Sequence, residues 1–416
     1  MITLMGHQQS GVSFLRENDR ALLADEAGLG KTLQALVAAE PFLKGRSLLW
    51  LTPTSVKEST KDEAEKWGLY SDKLAVVGYE YEFLHYFDQL IKRKWGVIVA
   101  DEAQMLRNLT AQRTKNFLKL IKNRDSKIWF LTGDPIWKGA QDLFVMLSIM
   151  EPGKWGKYKD FCEKYCKQKT NQWKPGGIEY HGYKKEHVGE IKDAMNRLML
   201  RRFKKEVDIG MPEKIFTKVP LDVGSGNFDK FTNDGIVRAV SKAVEQGSDL
   251  NLEPEVVETI QELGLKKVDH VIRYIKDTRL IDYPLVVFAH NRLVLYDIAE
   301  KLRDTGKKVQ TIIGGMDKTI RQQHIRDFQN GKLDILVCSI LAAGVGLNMF
   351  RSSRCVNAQL PWTWAALDQA ANRLHRIGQL NCVNVYNCIA KGTFEERQYH
   401  MIEDRKDMTS EIVGIR

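Results

Sequence analysis

Short apolar runs separated by helical periods organise the first hundred or so residues of this chain. Arg20-Ala-Leu-Leu-Ala24, Ser47–Thr52, Gly96-Val-Ile-Val-Ala100 and Lys127–Thr132 read as buried strands. Between them lie helical patterns at His7–Arg16, through Ala35–Ala39 and over the amphipathic Val56–Trp67. This alternation predicts an α/β fold built on a doubly wound parallel sheet. From Trp137 to about Glu262 the rhythm gives way to longer helical and irregular stretches, interrupted by the turn-rich Trp173-Lys-Pro-Gly-Gly177. It resumes with helix Val268–Lys276, strand Leu285–His290, helix Leu293–Leu302, strand Val309–Ile313, helix Lys318–Gln329 and strand Asp334–Ser339. The expected organisation is a parallel-sheet lobe over 1–136, a largely helical insertion and linker over 137–262, and a second parallel-sheet lobe over 263–416.

Composition narrows the class without naming it. A chain of 416 residues has room for two or three domains at ~150 residues each. With 43% hydrophobic and 28% charged residues, disorder is not expected to dominate. No apolar run approaches the ~20 residues of a membrane span, and the N-terminal MITLMGHQQSG lacks the basic and apolar regions of a signal peptide. The six cysteines, with Cys162 and Cys166 spaced CxxxC, have no histidine pair to complete a zinc pattern and are read as reduced thiols. The net charge of +10 suggests a polyanionic partner but decides little alone.

The octapeptide Asp25-Glu-Ala-Gly28-Leu29-Gly30-Lys31-Thr32, set between a strand and a helix, carries more information. Gly28 and Gly30 let successive N–H groups around Leu29 face a phosphate chain, and the following helix adds its positive dipole end. Lys31 is placed to bridge β- and γ-phosphates, and the Thr32 hydroxyl is a ligand for Mg²⁺. Asp25 stands where this pattern ordinarily has glycine. Asp101-Glu-Ala-Gln104 closes an apolar strand, where a parallel sheet presents its ligand edge. There Asp101 can hold Mg²⁺ through water and Glu102 can polarise the attacking water. Near the C-terminus, Arg373 and Arg376 of Asp368-Gln-Ala-Ala-Asn-Arg-Leu-His-Arg-Ile-Gly-Gln379 are three apart and share a face if helical. Guanidinium groups offered to a γ-phosphate are arginine fingers, and Gln379 is counted with them in the catalytic set.

These residues resemble the Snf-type branch of the superfamily-two helicases, the ATPase motors of chromatin and fork remodellers. The match runs from about Leu4 to Glu396. Leu4-Met-Gly-His-Gln8 looks like the adenine-reading segment, with Gln8 in the recognition position and Met5-Gly6 where Arg-Pro is usual. Leu51-Thr-Pro-Thr-Ser-Val56 looks like the first DNA-backbone motif, making Thr54 and Ser55 candidate contacts, although Thr60 stands where Trp is common. Leu131-Thr-Gly-Asp-Pro-Ile136 resembles the motif linking hydrolysis to movement; Thr132 is a candidate DNA contact and Asp134 replaces the usual Thr. Ser339-Ile-Leu-Ala-Ala-Gly344-Val-Gly346-Leu-Asn348 looks like the segment that touches both nucleotide, through Gly344 and Gly346, and DNA, through Ser339 and Asn348. The ending Arg376–Gln379 is specific to this branch, and Leu200-Arg-Arg-Phe-Lys-Lys-Glu-Val207 with Met211-Pro-Glu-Lys214 matches its inter-lobe linker. Thr311–Gly315, Ala342–Gly346 and Lys157–Phe161 are closest to the fork-remodelling, annealing-helicase sub-branch.

The resemblance implies two RecA-like lobes clamping ATP with Mg²⁺, and double-stranded or branched DNA running across both. It implies a motor that translocates and remodels forks or junctions in replication, recombination or repair. A strand-separating helicase and an ATP-gated DNA-binding module are the competing readings. The chain begins just before the adenine motif and ends shortly after the second lobe, so a bare monomeric motor without histone-reading or fork-recognition modules is expected. No protein partner is identifiable and no membrane is involved. The expected location is the cytoplasm of a prokaryotic or virus-infected cell, or the nucleus in a eukaryote. The charge then acquires a place. Lys154–Lys205 holds fifteen basic and six acidic residues, nearly the whole excess, interleaved with Trp155, Tyr158, Phe161, Tyr165, Trp173, Tyr180 and Tyr183. The aromatics are read as a small core under a solvated face. The lysines, Lys184 and Lys185 above all, are read as a DNA-facing protrusion.

Overall fold

The computed structural model describes residues 3–413 other than 55, 70–71, 123–124, 137, 171–176, 208–209, 225–234, 237–238, 240–253, 341–347 and 377. Side chains are described for these residues other than 318, 365 and 405–413. Two compact units emerge, Met1–Val207 with Asp407–Arg416, and Asp208–Lys406.

In the first unit the strands are β1 (Arg20–Leu23), β2 (Ser47–Thr52), β3 (Leu74–Gly78), β4 (Trp95–Asp101) and β5 (Lys127–Leu131), followed by β6 (Lys167–Thr170), β7 (Ile178–His181) and β8 (Met199–Leu200). Six of them form one sheet in the order β3-β2-β4-β5-β1-β8, parallel throughout. Because helices cover both faces, the central strands read as continuous apolar runs; β4 is buried along its whole length. Alternate residues supply two cores. Leu49, Leu51, Ile98, Ala100, Ile128 and Phe130 pack on one side, and Leu48, Trp50, Val97, Val99, Trp129 and Leu131 on the other.

The second unit repeats the architecture with β9 (Lys214–Leu221), β10 (Leu285–Ala289), β11 (Val309–Ile312), β12 (Ile335–Ser339), β13 (Arg354–Asn357) and β14 (Val383–Ala390). Their order is β11-β12-β10-β13-β14-β9, again parallel. Helix Pro254–Asp277 covers this sheet and is far longer than the expected Val268–Lys276. Lys267 of that helix is 1% exposed, and its Nζ donates to both Glu395 carboxylate oxygens (2.8 and 2.7 Å) and to the Cys388 carbonyl (2.8 Å).

The segment 137–262, expected to stand between two lobes, is divided between them, because its own strands join both sheets. β8 pairs with β1, and β9 pairs with β14. The described part of the segment holds helices Tyr158–Tyr165 and Val188–Leu198, which flank the antiparallel β6–β7 ribbon. All six cysteines are free, and burial pushes the Cys355 and Cys388 thiols up to about 12, holding them protonated and inert. Among the described residues no helix is long and apolar enough to cross a membrane.

Candidate functional site

The site begins where three adjacent strands end. β4, β5 and β1 are neighbours, so their carboxyl ends bring Asp101, the Thr132–Asp134 turn and the Asp25–Thr32 loop to one edge of the first sheet. The loop leads into helix α2 (Lys31–Ala39), capped by Gly30. Gly28 (φ 95°) and Gly30 (φ 78°) both adopt left-handed backbone, which is what curls the loop. A Cβ on Gly30 would stand 2.6 Å from Nε2 of Gln8, so the Gln8 carboxamide lies directly on the loop. Gln8 belongs to helix α1 (Gly6–Glu17), and its Oε1 accepts from the Met5 N–H at 3.1 Å. Leu29 is buried, and its carbonyl meets the His7 ring at 3.2 Å and accepts from Gln34 Nε2 at 3.0 Å.

Lys31 Nζ donates to the Asp25 carbonyl oxygen at 2.5 Å. Burial lowers its pKa, against the opposing pull of Glu102, Asp25 and Asp101. Asp101 accepts the Glu102 N–H on Oδ1 (3.0 Å), while Trp50 Nε1 and Thr52 Oγ1 donate to Oδ2 (both 3.4 Å). Burial first, and then the neighbouring Glu102, push its carboxyl up to about 7, with Lys31 pulling it back. Glu102 itself is held left-handed (φ 48°, ψ 54°), an unusual cost for a residue with a side chain. Gln104 Nε2 donates to Glu102 Oε2 at 2.7 Å. The Thr32 hydroxyl and Asp101 carboxylate are hard oxygen donors, a set that suits Mg²⁺ sharing its shell with phosphates and water.

Three of the departures from the expected pattern, Asp25, Asp134 and Thr60, have a local partner or packing role. The Asp25 carboxylate is fully buried and bound by Arg202. Asp134 faces the charge of Arg201, whose Nε and Nη1 are shut off from solvent with no hydrogen-bond partner among the described residues. Thr60 is buried in helix Lys57–Lys66, its hydroxyl donating to the Val56 carbonyl at 3.3 Å.

Several expectations are revised. Arg373 and Arg376 are not on a common helical face, because helix Trp364–Ala371 ends before them and the chain tightens into turns. Arg373 is buried and Arg376 half-buried. Gln379 is held by the backbone: its Nε2 donates to the Phe350, Ser352 and Leu374 carbonyls and its Oε1 accepts from the Asn381 N–H. It pins the turn that carries the two arginines. Thr132 is fully buried, its hydroxyl accepting the Asp134 N–H at 3.0 Å, so it shapes that turn rather than a surface. Ser339 is also buried, at the end of β12. Thr54 is exposed, and its hydroxyl donates to Glu80 at 2.6 Å; Asn348 is exposed. Ser55, Gly344 and Gly346 lie outside the described residues.

The basic segment is also less uniform than its count suggests. Trp155, Phe161, Tyr165 and Tyr183 are buried, and the first three pack with centroids 4.7–5.9 Å apart. Lys154 and Arg197 pair with Glu151, Lys169 with Glu179, and Lys164 with Glu190. Lys184 Nζ donates to the Glu163 carbonyl at 2.7 Å, while Lys157, Lys167, Lys185 and Lys205 are exposed. Arg201, Arg202 and Lys204 do not belong to a protrusion at all. They follow β8 to the edge where the phosphate loop lies, and Lys204 is buried with Nζ 3.4 Å from the Cβ position of Gly28. The available signal was Asp25 itself, since a carboxylate at a buried strand end demands a cation.

The chain matches the SNF2-related domain family over residues 70–263 and the helicase conserved C-terminal domain over 266–378. The phosphate loop precedes the first match but falls within the region shared with longer relatives. A SWI/SNF-related matrix-associated actin-dependent regulator of chromatin subfamily A-like protein 1 from Xenopus tropicalis is 29% identical over 97% of this chain. The DNA annealing helicase and endonuclease ZRANB3 of Mus musculus is 26% identical over 98%. The chain spans 44% and 40% of their respective lengths. The Pyrococcus furiosus Hef helicase domain shares the fold, with a TM-score of 0.51 at 15% identity over 95% of this chain and 97% of that one. The chain therefore joins an SNF2-related domain to a helicase conserved C-terminal domain, the pairing of a helicase- or translocase-type ATPase.

Proposed function

We propose that this protein is an ATP-driven translocase on double-stranded DNA that remodels branched or forked DNA. The observation that carries the ATPase half is the convergence of Lys31, Thr32, Asp101 and Glu102 on one sheet edge. The DNA half is supported by similarity to a relative named as a DNA annealing helicase. Such a motor works as a monomer wherever its DNA resides, in prokaryotic cytoplasm or a eukaryotic nucleus.

In this reading the loop N–H groups and the α2 dipole hold the phosphates, and Lys31 leaves the Asp25 carbonyl to reach them. Thr32 and Asp101 are the residues that would hold Mg²⁺, which when bound would supply charge neutralisation to the phosphates. Glu102, preset by its left-handed backbone, orients and polarises the attacking water. A motor must tolerate every sequence, so phosphate contacts suffice for DNA.

The test is hydrolysis by the full chain on linear duplex, fork and four-way junction side by side. Turnover should rise with duplex and most with branched DNA; flat rates on all three would end the motor reading. Triplex displacement without duplex unwinding separates translocase from strand-separating helicase. Arg376→Ala should keep nucleotide affinity within about twofold and lose most turnover, a drop of about 10³-fold if it acts as a finger. Retained turnover would exclude that role. Reversing charge at Lys184 and Lys185 should reduce the slope of log affinity against log salt by about one to two. An unchanged slope would return both to the solvent.

A further inference from the structure

Arg202 was counted above among generic basic residues, yet its guanidinium is engaged on every side. Nε donates to Asp25 Oδ1 at 2.9 Å, and Nη2 donates to Asp25 Oδ2 at 2.5 Å and to Gln34 Oε1 at 3.0 Å. Nη1 donates to the His7 carbonyl. One side chain thus joins α1, the first residue of the phosphate loop and α2. Gln34 closes the ring, with Nε2 donating to Asp25 Oδ2 at 3.1 Å and to the Leu29 carbonyl. The backbone follows suit: the Glu26 N–H donates to the Arg202 carbonyl at 2.9 Å, and the Lys204 N–H donates to the Glu26 carboxylate at 2.8 Å. Gly11 makes the room, since a Cβ there would fall 1.7 Å from Gln34 Oε1 and 2.9 Å from Arg202 Nη2.

Asp25 is the shared node of this network. Its carboxylate is bound by Arg202, and its carbonyl oxygen is bound by Lys31. Any movement of Lys31 toward a phosphate is therefore felt by a residue whose other end is bound to the segment leading into the second unit, which begins at Asp208. A bidentate guanidinium suits this role because its two parallel bonds fix the orientation of the carboxylate as well as its position.

We propose that Arg202 is a positioning residue for ATP, which sets the shape of the phosphate loop through Asp25 and couples loop occupancy to the order of linker residues 201–206. The inference rests on reading the loop as an ATP site, and not on DNA binding.

The test uses the full chain, with Arg202→Lys keeping the charge but losing the fork, and the double variant Asp25→Asn/Arg202→Gln leaving no lone buried charge. A fluorescent N-methylanthraniloyl ATP measures binding without DNA, steady-state turnover gives KM and kcat, and thermal melting reports folding. Arg202→Lys should melt within a few degrees of the parent while KM and the nucleotide Kd rise about tenfold, with kcat falling less. ADP should protect the Glu26 and Lys204 amides from hydrogen exchange in the parent chain and protect them less in Arg202→Lys. Unchanged affinity in a folded variant, or equal protection in both, would overturn the proposal. Should both variants fail to fold, absence of ADP-dependent protection at these amides in the parent would overturn it. A parent chain that binds the analogue but ignores DNA refutes the translocase and leaves this inference standing.

Discussion

Glu102→Gln is expected to bind ATP with near-parental affinity and to turn it over about 10³-fold more slowly. The amide keeps the shape of the side chain and its hydrogen bond with Gln104, but it cannot draw a proton from water. The backbone argues the same way. Left-handed geometry at a residue with a Cβ persists only where surrounding structure enforces it, here the Asp101 carboxylate holding the Glu102 N–H. Lys31→Ala should also abolish hydrolysis, through lost phosphate binding. It removes the cation that Asp25, Asp101 and Glu102 surround, and it frees Asp101 to rise further. Equilibrium binding and DNA-stimulated turnover, measured together, separate the two outcomes. Turnover above a tenth of the parental rate in Glu102→Gln would remove it from the chemistry.

Lys267→Met should produce the largest stability loss, about 3–5 kcal/mol, because it strands the Glu395 carboxylate in the interior. The ammonium spends its three donors on three acceptors, and Glu395 also accepts the Ala390 N–H at 2.9 Å. For a unit of this size the melting temperature should fall by on the order of 10 °C, read by calorimetry or circular dichroism. Converting Glu395 to Met as well should restore part of the loss, since two apolar chains leave no unpaired charge. A single variant that melts with the parent would show that the pair is solvated in solution.

The central strands were legible because burial on both faces writes them as unbroken apolar runs. The pattern gives Ser47–Thr52 and helix Lys318–Gln329 the bounds the structure has; the Asp317 cap of that helix is a structural finding. β13 and β14 are mostly buried yet are not among the predicted strands, because polar residues such as Asn357, Asn384 and Asn387 break their apolar runs, whereas β6, β8 and β9 lack that signal. All four residues of β6 are exposed, and β9 mixes exposed, half-buried and buried positions without an apolar run, with Pro220 near its end. β8 is two residues long and has meaning only through its pairing with β1. At the site, the glycine–lysine–threonine loop and the Asp101–Glu102 strand end could be read because their chemistry is local in sequence. Arg202 could not, since it meets Asp25 only after the sheet is assembled. The engagement of Gln379 and Thr132 was equally hidden, because a motif gives the residue but not the backbone groups that packing sets against it.

The pairing of β9 with β14 bears on how the second unit is made. The first strand of that unit to be synthesised hydrogen-bonds, across eight registered positions from Lys214 to Leu221, with the last, Val383–Ala390. Until the ribosome has released Ala390, β9 has no neighbour, and Lys267 waits equally for Glu395. A nascent chain therefore carries an unsatisfied edge through most of the unit's translation, and closes it in one late, long-range step. Chains truncated before β14 should be caught by chaperones or proteases rather than accumulate as half a sheet.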